Sequence, residues 1–466
     1  MADVESEKAK LHRRISQNAS TAVVLERMKT LGFWNPQRGL PPDPPEEMAE
    51  RQLINGELAQ LRQKTKILHN IDLALQQERQ RRIKESRDRR AAVKAKQAFE
   101  AKARRERWDQ VRQSTIVHLG EAHSAGLSQT EVDEDLLKHY DLPILKRGEE
   151  IADAMGISLS RLRWLTYHRR ATTVVHYRRY EIAKKTGGTR GISAPRPHLA
   201  KAQHWVLDHI LRKVEPEAEA HGFVPGRSIV SNAEPHAGHP VVINLDLKDF
   251  FPTITFRRVK GMFQSLGYSE HAAVVFALLC TEPPRVAAEF DGKIHAVALG
   301  QRMLPQGACT SPAITNIICR KLDRRLAGLA KRHDFTYTRY ADDLTFSGSK
   351  SQAAGRLIRS ARSILEAEGL AENPRKTKIM RQGRRQEVTG LTVNHKPAVS
   401  RQAIRELRSI IHNVARHGLE SQNHGRHPNF AAYLRGRVEF VRMVNPERGE
   451  TMRAALERAL AAGGSA

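Results

Sequence analysis

Cysteine is scarce in this chain. Three thiols, Cys280, Cys309 and Cys319, occur in 466 residues, none in CxxC spacing and all in apolar or small-residue settings. They read as reduced core residues, not as a disulfide framework. Histidine is plentiful at 21, yet HExxH and Cys/His clusters are missing, which argues against a zinc site. Long apolar runs are missing too: the longest, Ala272 to Cys280, is far too short to span a bilayer. The opening Met-Ala-Asp-Val-Glu-Ser-Glu-Lys has no apolar leader core, so a cytoplasmic protein is expected. Acid is in short supply, with 51 Asp and Glu against 78 Lys and Arg, a net charge of +27. A surplus on that scale implies a polyanionic partner, and nucleic acid is favoured over membrane because no long apolar segment is present. The length allows two or three domains and a substantial core.

What is present centres on Tyr340-Ala341-Asp342-Asp343. Phe335 to Tyr340 and Leu344 to Gly348 read as strands, which puts Ala341-Asp342-Asp343 at a hairpin tip. Two adjacent carboxylates there are costly without a cationic partner, and magnesium, bound through oxygen, is the expected one. Upstream, Val241 to Leu245 is an almost unbroken apolar run that reads as a buried strand, with Asp246 at its end. Two divalent ions held roughly 3.5–4 Å apart by such carboxylates can activate an attacking hydroxyl and stabilise a leaving pyrophosphate.

Asp246 followed by Phe250-Phe251, then Leu304-Pro305-Gln306-Gly307, then Tyr340-Ala341-Asp342-Asp343 resembles, in that order, the palm of reverse transcriptases. Asn232-Ala-Glu-Pro-His236 and Val388-Thr389-Gly390 resemble the NAxxH and VTG signatures of bacterial retron reverse transcriptases. The extension, with His118-Leu119-Gly120, is similar to those of the long myxobacterial kind. The resemblance runs from about Glu150 to about Leu460. It implies an α+β right-hand polymerase with fingers, palm and a small helical thumb behind a basic helical N-terminal extension. The expected divisions are extension 1–113, helical junction 114–170, fingers and palm 171–395, and thumb 396–466.

By the same resemblance, the chain is an RNA-directed DNA polymerase. Asp246, Asp342 and Asp343 are its catalytic residues and hold two Mg²⁺, with the backbone carbonyl of Leu247 as an added ligand. Arg190, and Lys184 or Lys185, meet the phosphates of the incoming dNTP, while Gln306 bonds the nucleotide or template. Phe251 lies beneath the nucleotide sugar, where a bulky ring excludes a 2′-OH. Asn232, His236, Val388, Thr389 and Gly390 serve recognition of a cognate structured RNA of the msr-msd type. The product implied is multicopy single-stranded DNA (msDNA) joined to RNA and primed from a 2′-OH, in a phage-defence system with a separate effector protein. The stretch after Asn394 is read as too short for a thumb plus an RNase H domain, so template removal falls to a host RNase H. A group II intron-like or diversity-generating enzyme is the alternative within the class, and NAxxH and VTG stand against it. A non-catalytic RNA-binding scaffold is the alternative outside it, and three clustered carboxylates stand against that.

The remaining pattern is mostly helical. Ala22 to Met28 opens an amphipathic stretch, Pro41 to Pro45 is a spacer, and Met48 to Gln113 reads as one long exposed basic helix. That arm is either a solvated rod or an electrostatic strut on an RNA backbone. Ile151 to Leu165 has the cadence of helix, Gly turn, helix: a DNA-reading motif or, as in retron enzymes, the opening of the polymerase. Tyr180 to Ile192 reads as a hairpin with Gly187-Gly188 at its tip, and His221 to Ser228 resembles the family's template-contacting loop. Gly307 permits close backbone approach to a ligand, and Ala313 to Leu329 reads as one helix beneath the Asp-Asp hairpin. Lys376 or Lys378 either meets phosphate or is plain surface. Ile404, Leu407, Ile410, Ile411 and Val414 share one face of a thumb helix that Gly418 caps.

Overall fold

The structure is a computed structural model that describes residues 29–35, 45–66, 70–184 and 187–463. The chain divides into two units, 1–115 and 116–466. Within the first, the helices Pro45–Lys66 and Asn70–Ser114 flank residues 67–69, so the single helix expected over Met48 to Gln113 is described as two. Ala22 to Met28 and Pro41 to Pro44 lie outside the described residues. Pro45 takes the first helical position, where its missing N–H costs nothing. Nearly every side chain of Asn70–Ser114 that is described is exposed, and its polar residues surround the rod with no apolar stripe to bury.

The second unit is built around one antiparallel sheet in the order β7-β8-β4-β9, from Phe335–Tyr340, Asp343–Gly348, Val241–Asp246 and Lys378–Arg381. Strand alternation gives this sheet two different faces. Val241, Ile243, Leu245, Leu344, Phe346, Phe335 and Tyr337 point into the main core, which includes the helices Arg320–Arg332 and Ala354–Ala367. Val242, Asn244 and Asp246, with their cross-strand partners Ser347, Thr345 and Asp343, form the other, more polar face. Val242 there joins a small cluster with Ala233, Val388, Leu391 and Val393.

The remaining strands are small satellites of this core. β2 (Tyr177–Ala183) and β3 (Thr189–Pro195) form a hairpin in which Ile182 faces Arg190. β1 (Ala171–Thr172), β5 (Arg285–Phe290) and β6 (Lys293–Ala298) form a three-stranded sheet, and β10 (Glu387–Val388) pairs with β11 (Leu391–Thr392). The helix Glu270–Cys280 is apolar all round, and His271 to Cys280 are all buried, as expected of a helix at the centre of a large core. The short helices Gly148–Ala154 and Leu159–Thr166, joined through Gly156 at φ +63°, pack on it and bury Ile151, Leu162 and Leu165. Their apolar faces therefore serve the main core. Cys280 and Cys319 are buried thiols and Cys309 is half-buried.

A third cluster forms at the C-terminal end from Arg401–His417, Phe430–Val444 and Pro446–Gly463. Ile404, Leu407, Ile411 and Val414 are its buried stripe, and Gly418 closes the first helix at φ +78°, a conformation glycine adopts without penalty. One sequence expectation needs correction. Ala313 to Leu329 is not one helix but two, Ser311–Ile318 and Arg320–Arg332, meeting at Cys319.

Candidate active site

Asp246 ends β4 and Asp343 begins β8, and the strand register sets them directly opposite one another. Cross-strand partners project from the same face, so two carboxylates share the open end of the sheet. Tyr340 pairs with Asp343, which leaves Ala341-Asp342 as the two-residue tip of the hairpin. Ala341 sits at φ +57°, a left-handed conformation that an alanine adopts at some cost. The Leu247 amide donates to the Asp342 carbonyl at 2.9 Å, stitching the end of β4 to the tip.

Three carboxylates at one edge repel each other. The Asp343 carboxyl is pushed up to about 6, first by the loss of water around it and then by Asp342 and Asp246, with Lys376 and Lys378 opposing. Asp342 is raised for the same first reason and by Asp246, while Lys376 and Arg190 pull it down. Lys376 Nζ lies 2.8 Å from Asp246 Oδ1, and its own ammonium is strengthened by that bond. As the side chains stand, no three His, Cys, Asp or Glu among the described residues converge into a ready-made metal cage. The donor set nevertheless fits a hard divalent cation: it is all oxygen, partly desolvated, mutually repelling, and already holds one cationic group, Lys376.

The other expected contacts fall as follows. Arg190 is exposed on β3, and its charge is felt at Asp342. Lys184 is exposed where the hairpin turns, its amide bonded to the Gly188 carbonyl, and Lys185 lies outside the described residues. Phe250 is buried and Phe251 is half-buried beside it, ring centroids 5.6 Å apart. Gln306 is half-buried, and its carbonyl accepts from the Ser193 amide of β3 at 2.7 Å. Gly307, at φ +115°, would drive a Cβ to 2.8 Å from Ile192 and 3.1 Å from the Ser193 carbonyl, so the close approach it permits is to the β2–β3 hairpin.

Asn232 and His236 are fully buried, so neither offers an atom for direct contact with RNA. His236 lies on the carboxylate-bearing face of the sheet, its ring nitrogens 2.7 Å from Ser347 Oγ and 2.7 Å from Thr338 Oγ1. Ala233, beside Asn232, packs with Val388, and Thr389 Oγ1 donates to the Ile229 carbonyl at 3.2 Å. The two signatures thus form one structural element, whose outward part is the turn of Thr389 at φ +45° and exposed Gly390 at φ +83°.

Burial pushes the His236 imidazole down to about 3. A base whose folded pKa is depressed contributes no pH dependence above its unfolded value of about 6.5; below that the unfolded chain takes up a proton that the fold refuses. Stability is therefore lost as pH falls from about 6.5 towards 3, by up to about 1.4 kcal/mol per pH unit from this group. Urea denaturation at pH 7, 6 and 5 should show this slope in the native protein and a slope flatter by nearly one proton in His236→Gln; equal slopes would contradict the assignment.

Residues 182–395 match the family model described as reverse transcriptase (RNA-dependent DNA polymerase). The Retron Mx162 reverse transcriptase of Myxococcus xanthus is 42% identical over 356 residues, covering 73% of this chain and 72% of that protein. The Retron Mx65 reverse transcriptase of the same organism is 43% identical, covering 69% and 73%. The Retron Ec86 reverse transcriptase of Escherichia coli is 35% identical, covering 60% and 81%. This chain belongs to the retron reverse transcriptases. It is an RNA-directed DNA polymerase with a reverse transcriptase fold, and reverse transcriptases use divalent metal ions and an RNA template. No helix among the described residues is long and apolar enough to cross a membrane.

Three features of this retron reverse transcriptase are not foreseen from sequence. Lys376 is bonded to Asp246 where a phosphate contact or plain surface is expected. Gly222, in the loop His221 to Ser228, is pressed against the tip: a Cβ there would lie 2.6 Å from the Ala341 amide nitrogen. Beneath the tip is a fully buried ion pair, Arg339 with Asp323. The available signal is an arginine at an inward position of a strand that otherwise turns Phe335 and Tyr337 to the core.

Proposed function

We propose that this enzyme copies part of a cognate structured RNA into single-stranded DNA, primed from a 2′-OH of that RNA so that the msDNA remains joined to it. Asp246, Asp342 and Asp343 form the reaction centre and hold two Mg²⁺, with the Leu247 carbonyl as a further oxygen donor. The observation that supports this most directly is Asp246 opposite Asp343 at the open end of the sheet, beside a tip that carries Asp342. Bound there, the ions supply activation of the attacking hydroxyl and charge neutralisation of the leaving pyrophosphate. The chain's own part is positioning. Arg190, with Lys184 or Lys185, meets the triphosphate, Gln306 orients the nucleotide or template, and the Thr389-Gly390 turn, held from behind by the segment Asn232 to His236, presents a surface to the cognate RNA. Family membership supports a cytoplasmic phage-defence setting with a separate effector and a host RNase H.

The deciding experiment is to express the chain with the DNA that flanks its gene and look for a short DNA covalently attached to RNA. Its accumulation supports the reading. Its absence, with synthesis intact on generic templates, would favour a group II intron-like or diversity-generating enzyme.

Two further outcomes are expected. Phe251→Ala should admit ribonucleotides, raising their kcat/KM relative to dNTPs by at least about tenfold, since loss of a bulky contact in a pocket is worth about 1–3 kcal/mol; single-nucleotide incorporation assays read this directly, and unchanged sugar selectivity would move the gate elsewhere. The basic rod Asn70–Ser114 is proposed to lie along RNA phosphates. Removing residues 1–110 should weaken RNA binding and flatten its salt dependence by about 0.7–0.9 for each phosphate that the rod no longer neutralises. An unchanged slope in a filter-binding series would leave the rod a solvated face.

A further inference from the structure

Arg339 is fully buried, and each of its guanidinium nitrogens is engaged. Nε and Nη2 donate to the two Asp323 carboxylate oxygens at 2.8 and 2.7 Å, and Nη1 donates to Asn316 Oδ1 at 3.0 Å and to the Ala341 carbonyl at 3.3 Å. Tyr337 donates its hydroxyl to Asp323 at 2.9 Å, and Asn316 Nδ2 donates to the Gly222 carbonyl at 2.9 Å. Asn316 and Asp323 lie seven residues apart on the two helices that meet at Cys319, so the network joins both helices, the tip and the loop at Gly222.

The energetics of such a pair are informative. A desolvated Arg–carboxylate pair is weak evidence for stability, because an apolar pair of the same volume often serves the fold as well or better. What an apolar pair cannot do is hold a carbonyl. The Ala341 carbonyl belongs to the peptide unit that carries the Asp342 amide, and Ala341 is the left-handed residue of the tip. Gly222 walls the Tyr340–Ala341 peptide on one side of Ala341 and Arg339 holds the carbonyl of the Ala341–Asp342 peptide on the other, so the two peptide planes that flank Ala341 are each held, the second being the one that leads into Asp342.

We infer that the Arg339–Asp323–Asn316 network is a positioning device that sets the orientation of the Asp342 and Asp343 carboxylates from beneath the sheet. The inference rests on those aspartates being the reaction centre. Arg339 touches neither substrate nor cation; it acts through the backbone of the tip. Guanidinium geometry is essential to it, because a lysine retains charge and pairing but lacks the fork that reaches Asp323, Asn316 and Ala341 together.

The test uses the full-length protein in four forms: native, Arg339→Lys, the apolar triple Tyr337→Phe with Arg339→Met and Asp323→Leu, and Asp342→Asn with Asp343→Asn. Thermal unfolding, Mn²⁺ binding followed by the paramagnetic resonance of free Mn²⁺, and kcat and KM on a primed RNA template are measured for each. The expected result for Arg339→Lys and the apolar triple is Mn²⁺ binding weaker by about tenfold and kcat lower by about a hundredfold, with KM for dNTP changed less than threefold. A purely structural pair would instead lower the melting temperature of Arg339→Lys while the folded fraction bound Mn²⁺ and turned over as native does, and that result overturns the inference. If one variant does not fold, the other decides by the same readouts. The double asparagine form separates the premise: native-like Mn²⁺ binding and synthesis there would mean that the centre lies elsewhere, whereas its loss beside native-like Arg339 variants would sink the positioning role alone.

Discussion

Replacing Asp342 and Asp343 together by Asn is expected to abolish DNA synthesis, by a factor on the order of 10⁴ or more, and to leave a folded protein that still binds RNA. The second half of that expectation follows from the electrostatics. The Asp343 carboxyl is held up at about 6 and Asp342 is raised, chiefly by desolvation. A carboxylate whose folded pKa lies above its unfolded value opposes folding when ionised, and that opposition is relieved as pH falls through about 6 towards 3.8. Asparagine is neutral throughout, so without divalent ions the double variant should be the more stable form at pH 7, and this advantage should shrink by about half at pH 5 on its way to zero near 3.8. The gain should be about 1 kcal/mol, because the side chain of Asp343 reaches solvent and screening reduces what its shift would otherwise imply. Urea denaturation in a chelator at the two pH values measures it, and primer extension measures the first half. Surviving synthesis would place the reaction centre elsewhere; collapse of the fold would mean that the tip carboxylates do structural work that their raised pKa values deny.

The parts of this fold that are legible in sequence are those with a simple period. Val241 to Leu245 announces one palm strand because apolar residues run almost unbroken up to a carboxylate, and Phe335 to Gly348 announces two more because inward and outward residues alternate on either side of Asp342-Asp343. The thumb stripe at Ile404, Leu407, Ile411 and Val414 is legible because a helix repeats its buried face. Pairing across the chain is not legible. Nothing in the residues around Asp323 says that its partner is Arg339, and the pair forms only because a helix crosses beneath β7. The resemblance of Asn232 and His236 to a recognition signature implies side chains that serve RNA recognition; the turn to a 3₁₀ segment at Glu234–His236 and the hydroxyls of Thr338 and Ser347 draw His236 inward instead. The break at Cys319 is hidden for a different reason: no glycine or proline marks it, and both helices keep their apolar faces on the same core.

Gly222→Ala is expected to lower kcat by about a hundredfold, although Gly222 contributes no side chain. A Cβ at this position would lie 2.6 Å from the Ala341 nitrogen, 3.1 Å from the Tyr340 carbonyl carbon and 3.3 Å from the Tyr340 Cα, all backbone atoms that cannot swing aside as a flexible side chain would. The loop cannot easily retreat either. The His221 amide donates to the Arg339 carbonyl at 2.8 Å, the Arg339 amide donates to the Glu219 carbonyl at 2.7 Å, and Asn316 holds the Gly222 carbonyl at 2.9 Å. Strain must therefore enter the tip and displace the Asp342 carboxylate. Overpacking of this kind costs about 1–3 kcal/mol of stability, which thermal unfolding will report alongside kcat on a primed RNA template. Gly261→Ala is the matched control: it sits in the helix Phe256–Ser265 with nothing within 4 Å of its new Cβ, so it should gain up to about 1 kcal/mol from helix propensity and keep native turnover. Native kcat in Gly222→Ala would show that the loop yields and the tip does not, and would remove the physical reason for a glycine at this position.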